Sequence, residues 1–276
     1  RDPSKTKYRR LFKVLTTTDD QIESAGVIEI MDGRFGDTSF ENFTFASDLK
    51  DNVLRIKEFK IKDEKKGDAM LSGFVEVRRT DFGKLPFEID PEGFTKFSGE
   101  FKNFQLDLLE EYLPEDVSID GLISGSLAIS GIGKKPEIVF AFVIISPRYD
   151  KIIAKNISAS GRYTDKRLYF EDLIAYTKGG YYSGGGYLPI DLSISRLPNS
   201  RWLKDEPIAM QFSAVTPNLE VLTPYLVDVD SVTGDIELSL EIVGTPAHPV
   251  RNGKVLIKDG TIYALMLDRP ILGVEG

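Results

Sequence analysis

Strict alternation of apolar and polar residues constrains this chain more than any other feature. From Gly234 to Gly244, Ile236, Leu238, Leu240 and Ile242 alternate with Asp235, Glu237, Ser239 and Glu241. A period of two sends successive side chains to opposite faces, so the segment is a strand with one apolar and one wet face. GLISGSLAISG repeats the pattern with Ile123, Leu127 and Ile129, and IAMQFSA with Ile208, Met210, Phe212 and Ala214. Val255 and Ile257 form the apolar side of GKVLIKDG. In NVLRIKEFKIK the alternation of Leu54 and Ile56 slips by one at Lys57-Glu58, then resumes at Phe59 and Ile61. A slip of one residue predicts a β-bulge. Asp32-Gly33, Asp120-Gly121, Asp259-Gly260 and Asp90-Pro91-Glu92-Gly93 read as turns between strands.

Helical signal is confined to two short stretches, near 104–113 and 217–226. In the first, Asn103 is placed to cap, and Leu106, Leu109, Tyr112 and Leu113 fall on one face. In the second, Thr216 caps, Pro217 suits the first turn, and Leu219, Leu222, Tyr225 and Leu226 repeat that face.

These two stretches are offset by 113 residues, and the match continues. Gly121, Leu127, Ile129, Gly131 and Pro136 correspond to Gly234, Leu240, Ile242, Gly244 and Pro249. Asn42 and Asp51 correspond to Asn156 and Asp165 at 114, and Gly73-Phe74 to Gly186-Tyr187 at 113. Repetition at a fixed period marks an architecture in which each unit buries itself on its neighbours. The expected organisation is one continuous β-domain over 1–276, with units near 1–100 (partial), 101–213 and 214–276 (partial). Leu197–Pro207 is the only candidate boundary.

Composition narrows the chemistry. The net charge of −8 over 276 residues argues against a nucleic-acid partner, which requires a basic face. The absence of cysteine removes disulfides, thiolate metal sites and thiol nucleophiles. The single histidine, His248, lies between prolines in TPAHPV and reads as a turn residue. Asp228, Asp230, Glu110 and Glu111 lack the spacing of a calcium loop. Gly131–Lys135 lacks the first glycine and the final hydroxyl of a nucleotide-binding loop. No enzyme activity, metal or cofactor is expected. The chain opens RDPSKTKYRR, without an initiator methionine, and reads as part of something longer.

A sheet with one apolar face must cover it. The helical stretches are too few and too short to do so. Closure into a sandwich or barrel, another protein, or lipid remain as covers.

Gly234–Ile262, GDIELSLEIVGTPAHPVRNGKVLIKDGTI, resembles the characteristic segment of the TamB family and its AsmA-like relatives: glycine, alternating strand, Gly244-Thr245, Pro249, Gly253, then Asp259-Gly260. Leu168–Leu192 is similar to that family's strand pair with a Gly-rich turn. The resemblance implies an elongated, twisted, taco-like (U-shaped) antiparallel sheet with an apolar groove. It also implies a periplasmic segment of an inner-membrane-anchored bridge that carries phospholipid, or another acyl-chain lipid, towards the outer membrane. An outer-membrane barrel partner of the BamA/TamA type would bind through other regions. The groove candidates are Ile123, Leu127, Ile129, Ile236, Leu238, Leu240, Ile242, Val255 and Ile257. Glu58 and Gly125 are expected to interrupt the apolar lining. The alternative is a structural or chaperone-like module that augments client β-strands of outer-membrane barrels or autotransporters.

Overall fold

The computed structural model describes residues 7–18, 21–35, 38–64, 67–80, 87–106, 119–149, 152–177, 180–194, 201–215, 229–267 and 269–276. Alternation makes strands throughout. In chain order they are β1 (Lys7–Thr18), β2 (Gln21–Phe35), β3 (Thr38–Lys50), β4 (Val53–Asp63), β5 (Asp68–Arg79), β6 (Phe87–Ile89), β7 (Phe94–Gln105), β8 (Ile119–Ile132) and β9 (Lys135–Tyr149). They continue as β10 (Ile152–Ile153), β11 (Asn156–Thr164), β12 (Arg167–Tyr176), β13 (Tyr181–Pro189), β14 (Ala209–Val215), β15 (Val229–Gly244), β16 (Pro249–Ala264) and β17 (Ile271–Val274). Fifteen of them follow one antiparallel path in which each strand pairs with the next. β6 and β10 are short additions beside β5 and β9. Every described strand belongs to this single open sheet, so no second layer exists among the described residues.

The slip at Lys57-Glu58 is present: the register shifts between Ile56 and Phe59. Its effect on Glu58 corrects the expectation from sequence. Glu58 pairs with Ala46, on the polar face, so the bulge turns it out of the apolar one.

Three expected turns are not turns. Asp32-Gly33, Asp120-Gly121 and Asp259-Gly260 lie inside β2, β8 and β16. Asp32 and Asp259 adopt φ of 52° and 49°, and Gly121 adopts 135°. Asp and Gly tolerate such backbone, so these residues bend a strand that then continues. Asp90–Gly93 is a turn, with the Gly93 N–H donating to Asp90 O at 3.1 Å. His248 lies in the β15–β16 turn, its N–H donating to Thr245 O at 3.0 Å.

The first helical stretch begins too early. Phe104 and Gln105 are the last residues of β7, where Phe104 pairs with Ile123 and buries against Ala69. The remainder, 107–113, lies outside the described residues, as does the whole of 217–226. β13 and β14, on either side of Leu197–Pro207, pair directly.

Among the described residues, buried hydrophobic side chains form small clusters: Leu49, Val75 and Val77; Ala69 and Phe104; Val232 and Ile236. The first is covered by β6 and by Ile194 of the segment that follows β13. That segment crosses the strand ends as a strap. The Ile190 N–H donates to Lys166 O (2.9 Å), the Leu192 N–H to the Tyr163 hydroxyl (2.9 Å) and the Ile194 N–H to Gly133 O (3.0 Å). Arg201 Nη1 donates to Asp191 O at 2.9 Å.

Asp191 anchors the strap with its side chain. Partial burial opposes its ionisation, but hydrogen bonds from Ser193 and Lys166 outweigh this and hold its carboxyl below the ordinary range. A depressed carboxyl stabilises the fold above its unfolded value, and that contribution is lost as pH falls through the folded one. Hydrogen-exchange protection of the Leu192–Ile194 amides, corrected for intrinsic rates, is therefore expected to be level at neutral pH. It should decline below the carboxylate range, and Asp191→Asn should abolish the pH dependence.

Candidate functional site

Register places the apolar residues of successive strands side by side. Ile28, Phe45, Phe59, Leu71, Gly99, Leu127, Phe140, Gly161, Phe170, Gly186, Met210 and Ile242 are paired neighbour to neighbour from β2 to β15. Beside them runs Ile30, Phe43, Ile61, Ala69, Phe101, Gly125, Phe142, Ala159, Leu173, Gly184, Phe212, Leu240 and Gly253. Neither row contains a charged residue. At about 4.8 Å per strand, each row extends on the order of 60 Å along the sheet.

All nine residues chosen from sequence lie on this face. Ile123, Leu127 and Ile129 pair with Ile144, Phe140 and Ile138. Ile236 and Leu238 pair with Ile257 and Val255, and Leu240 and Ile242 with Phe212 and Met210. Ile236 is buried and Val255 is 50% exposed. The face ends in charge at β16, where Arg251 stands opposite Ile242.

Phenylalanines, which the sequence reading did not choose as groove candidates, stand in both rows. Phe101 and Phe142 stand on either side of Gly125, with ring centroids 5.7 Å apart and edge to face. Phe140 and Phe170 flank Gly161 in the same way at 6.0 Å, and Phe140 stacks on Phe142 at 5.8 Å. A Cβ added to Gly184 would lie 2.7 Å from Phe212 Cδ1, and one added to Gly161 would lie 2.9 Å from Phe140 Cζ. Rings thus lie over the bare backbone of the glycines beside them and pave the sheet with carbon. Signal for this existed in the phenylalanines of Phe140-Ala-Phe142. The uninterrupted run Ile138–Ile145 hid it, because β9 is apolar on both sides and Val139 is 61% exposed on the other face.

Leu127, Ile129, Phe140, Phe142, Phe170, Phe212 and Leu240 are only half-buried. The centre of a closed sandwich would bury such residues fully. Here they shelter one another, and no described element lies over them. The opposite face is wet. It carries cross-strand ion pairs such as Lys62–Glu41 (3.0 Å), Lys57–Asp48 (2.9 Å), Arg162–Glu171 (3.3 Å) and Lys258–Glu237 (2.5 Å). Pairs this exposed add little stability, but they keep that face in water.

Compared with protein families, with curated proteins and with solved structures, the chain finds no match.

Proposed function

We propose that this chain is a segment of a bridge-like, periplasm-spanning protein. Its apolar face carries the acyl chains of phospholipid between two membranes. The observation that carries this reading is the pair of uncharged, largely half-buried rows continuous from β2 to β15 in a sheet with no second layer among the described residues. Acyl burial gains about 0.8 kcal/mol per CH₂, so ten methylenes contribute roughly 8 kcal/mol before entropic losses. No headgroup contact is required. The track lowers the cost of moving tails through water, and direction comes from elsewhere.

Two finer features of the fold belong to this reading. The first is the repeat. Leu71 pairs with Gly99, and Gly184 with Phe212, each residue 113 further on. Gly99 pairs with Leu127, and Phe212 with Leu240, at the same offset. The bulge at Ile56/Phe59 recurs at Phe170/Leu173, 114 on. Asp32, Ser146 and Asp259 share φ near 50° at successive offsets of 114 and 113. Register, bulges and strained backbone all support a six-strand unit. The second feature is concavity. Ile194 lies five residues beyond Pro189 of β13, a reach of about 17 Å, yet packs against the cluster of Leu49, Val75 and Val77 on β3 and β5. Six strand spacings separate β13 from β5, about 29 Å along a flat sheet. The chord is shorter than the sheet, which supports a groove with the apolar face inside.

Native mass spectrometry of gently purified protein, followed by organic extraction, tests the reading. Discrete phospholipid adducts are expected; a lipid-free species that also takes up none from added vesicles would overturn it.

One observation favours strand augmentation as a second reading. β17 pairs with β16 only around Gly260–Ile262, and Gly276 with Ile257. Along Val250–Leu256 that edge of β16 has no ladder partner among the described residues. Capture of an isolated barrel strand there, without any lipid adduct, would favour it.

A further inference from the structure

The repeat places two apolar sockets in equivalent positions, and among the described residues only one is filled. In the first, Ile194 of the strap packs against the cluster of Leu49, Val75 and Val77, as does Ile89, and Val75 and Val77 are 3% and 4% exposed. Moved on by 113, Val75, Val77 and Ile89 become Leu188, Ile190 and Trp202. The backbone equivalence is close. Val77 pairs with Ile89, and Ile190 bridges Trp202. The Lys134 N–H donates to Pro91 O at 2.9 Å, and the Ala247 N–H to Lys204 O at 3.0 Å. Burial is not equivalent: Ile190 is half-buried and Trp202 is 49% exposed. A tryptophan on an apolar face loses hydrophobic stabilisation when it stays this exposed.

We propose that Leu188, Ile190 and Trp202 form a docking socket for the strap of a following unit, an extended segment that inserts an aliphatic side chain where Ile194 inserts in the first. This rests on the repeat reading above. The argument for that occupant is continuity with the filled socket. The strap of the second unit leaves β13, runs back over the β8–β9 turn through Gly133 O, and covers the first unit. A following strap would run over the β15–β16 turn, which holds the corresponding position beside Trp202. Each unit would thereby lock the one before it, fixing the curvature of the groove from unit to unit.

Trp202 is the only tryptophan in the chain, so its fluorescence reports on the socket alone. The probe is a synthetic peptide of sequence LPIDLSISR, residues 188–196, added to the delipidated full chain. A saturable blue shift of Trp202 emission is expected, with no shift from the same peptide carrying Ile194→Asp. Unmoved emission at millimolar peptide, or equal shifts from both peptides, would overturn the proposal. A shift produced by fatty acid and not by peptide would also overturn it, making the socket part of the lipid track. Lipid adducts are read separately by mass, so failure of the socket leaves the acyl-chain reading standing.

Discussion

Gly125→Ala is expected to destabilise the protein by about 3 kcal/mol or more, whereas Gly99→Ala should change stability by less than about 1 kcal/mol. Both glycines lie in the paired apolar rows, one strand apart. At Gly125 the backbone holds φ at 149°, and a Cβ would fall 2.0 Å from Ala141 O and 2.8 Å from Phe142 Cα. Backbone atoms of a paired strand cannot step aside, and Phe101 and Phe142 close over the same spot. At Gly99 the nearest atoms are Met70 O at 3.4 Å and Leu71 Cδ1 at 3.5 Å, ordinary van der Waals contact. There the loss of unfolded-state freedom offsets any crowding. Urea unfolding midpoints with an unchanged slope decide it. Equal effects at the two positions would mean that the paired backbone does not approach Gly125 as described.

Leu240→Asp is expected to abolish acyl-chain occupancy, while Ser239→Asp leaves it intact. Leu240 lies in the row between Phe212 and Gly253; Ser239, one residue away, points to the wet face opposite Ser213 and Lys254. A carboxylate on the track must keep its water, and an acyl chain crossing it would strip that water away. Because Leu240 is only half-buried, the variant should fold. Adduct mass and extracted lipid provide the readout. Occupancy that survives in Leu240→Asp places the lipid elsewhere.

The class of fold was legible because alternation is a local signal. Residues such as Leu238 and Leu240 declare their face within five positions, and register then carried all nine chosen residues to one side. The bulge at Lys57-Glu58 was legible for the same reason, as a slip in phase. Its consequence for Glu58 was not, since the direction in which a bulge turns a side chain depends on the partner strand. Asp-Gly pairs misled because left-handed backbone serves both turns and bent strands. At Asp32 and Asp259 the long neighbouring strands decided in favour of the latter. The aromatic paving was hidden because β9 is apolar on both faces, and Phe–Gly–Phe contacts join residues far apart in sequence, as in Phe101, Gly125 and Phe142. The strap was invisible for the same reason. Nothing near Ile194 in the chain announces that it packs against the cluster of Leu49, Val75 and Val77.

On the proposed function, acyl chains lie on one face of the sheet and not on the other. Methyl NMR with a nitroxide-labelled stearate tests it most directly, since both faces carry aliphatic methyls. Strong broadening of Ile123, Leu127, Ile129, Ile138 and Leu240 is expected, with Val139, Val143 and Ile145 on the opposite face unaffected. Equal broadening of both sets, or broadening confined to the β9 valines and Ile145, would contradict it.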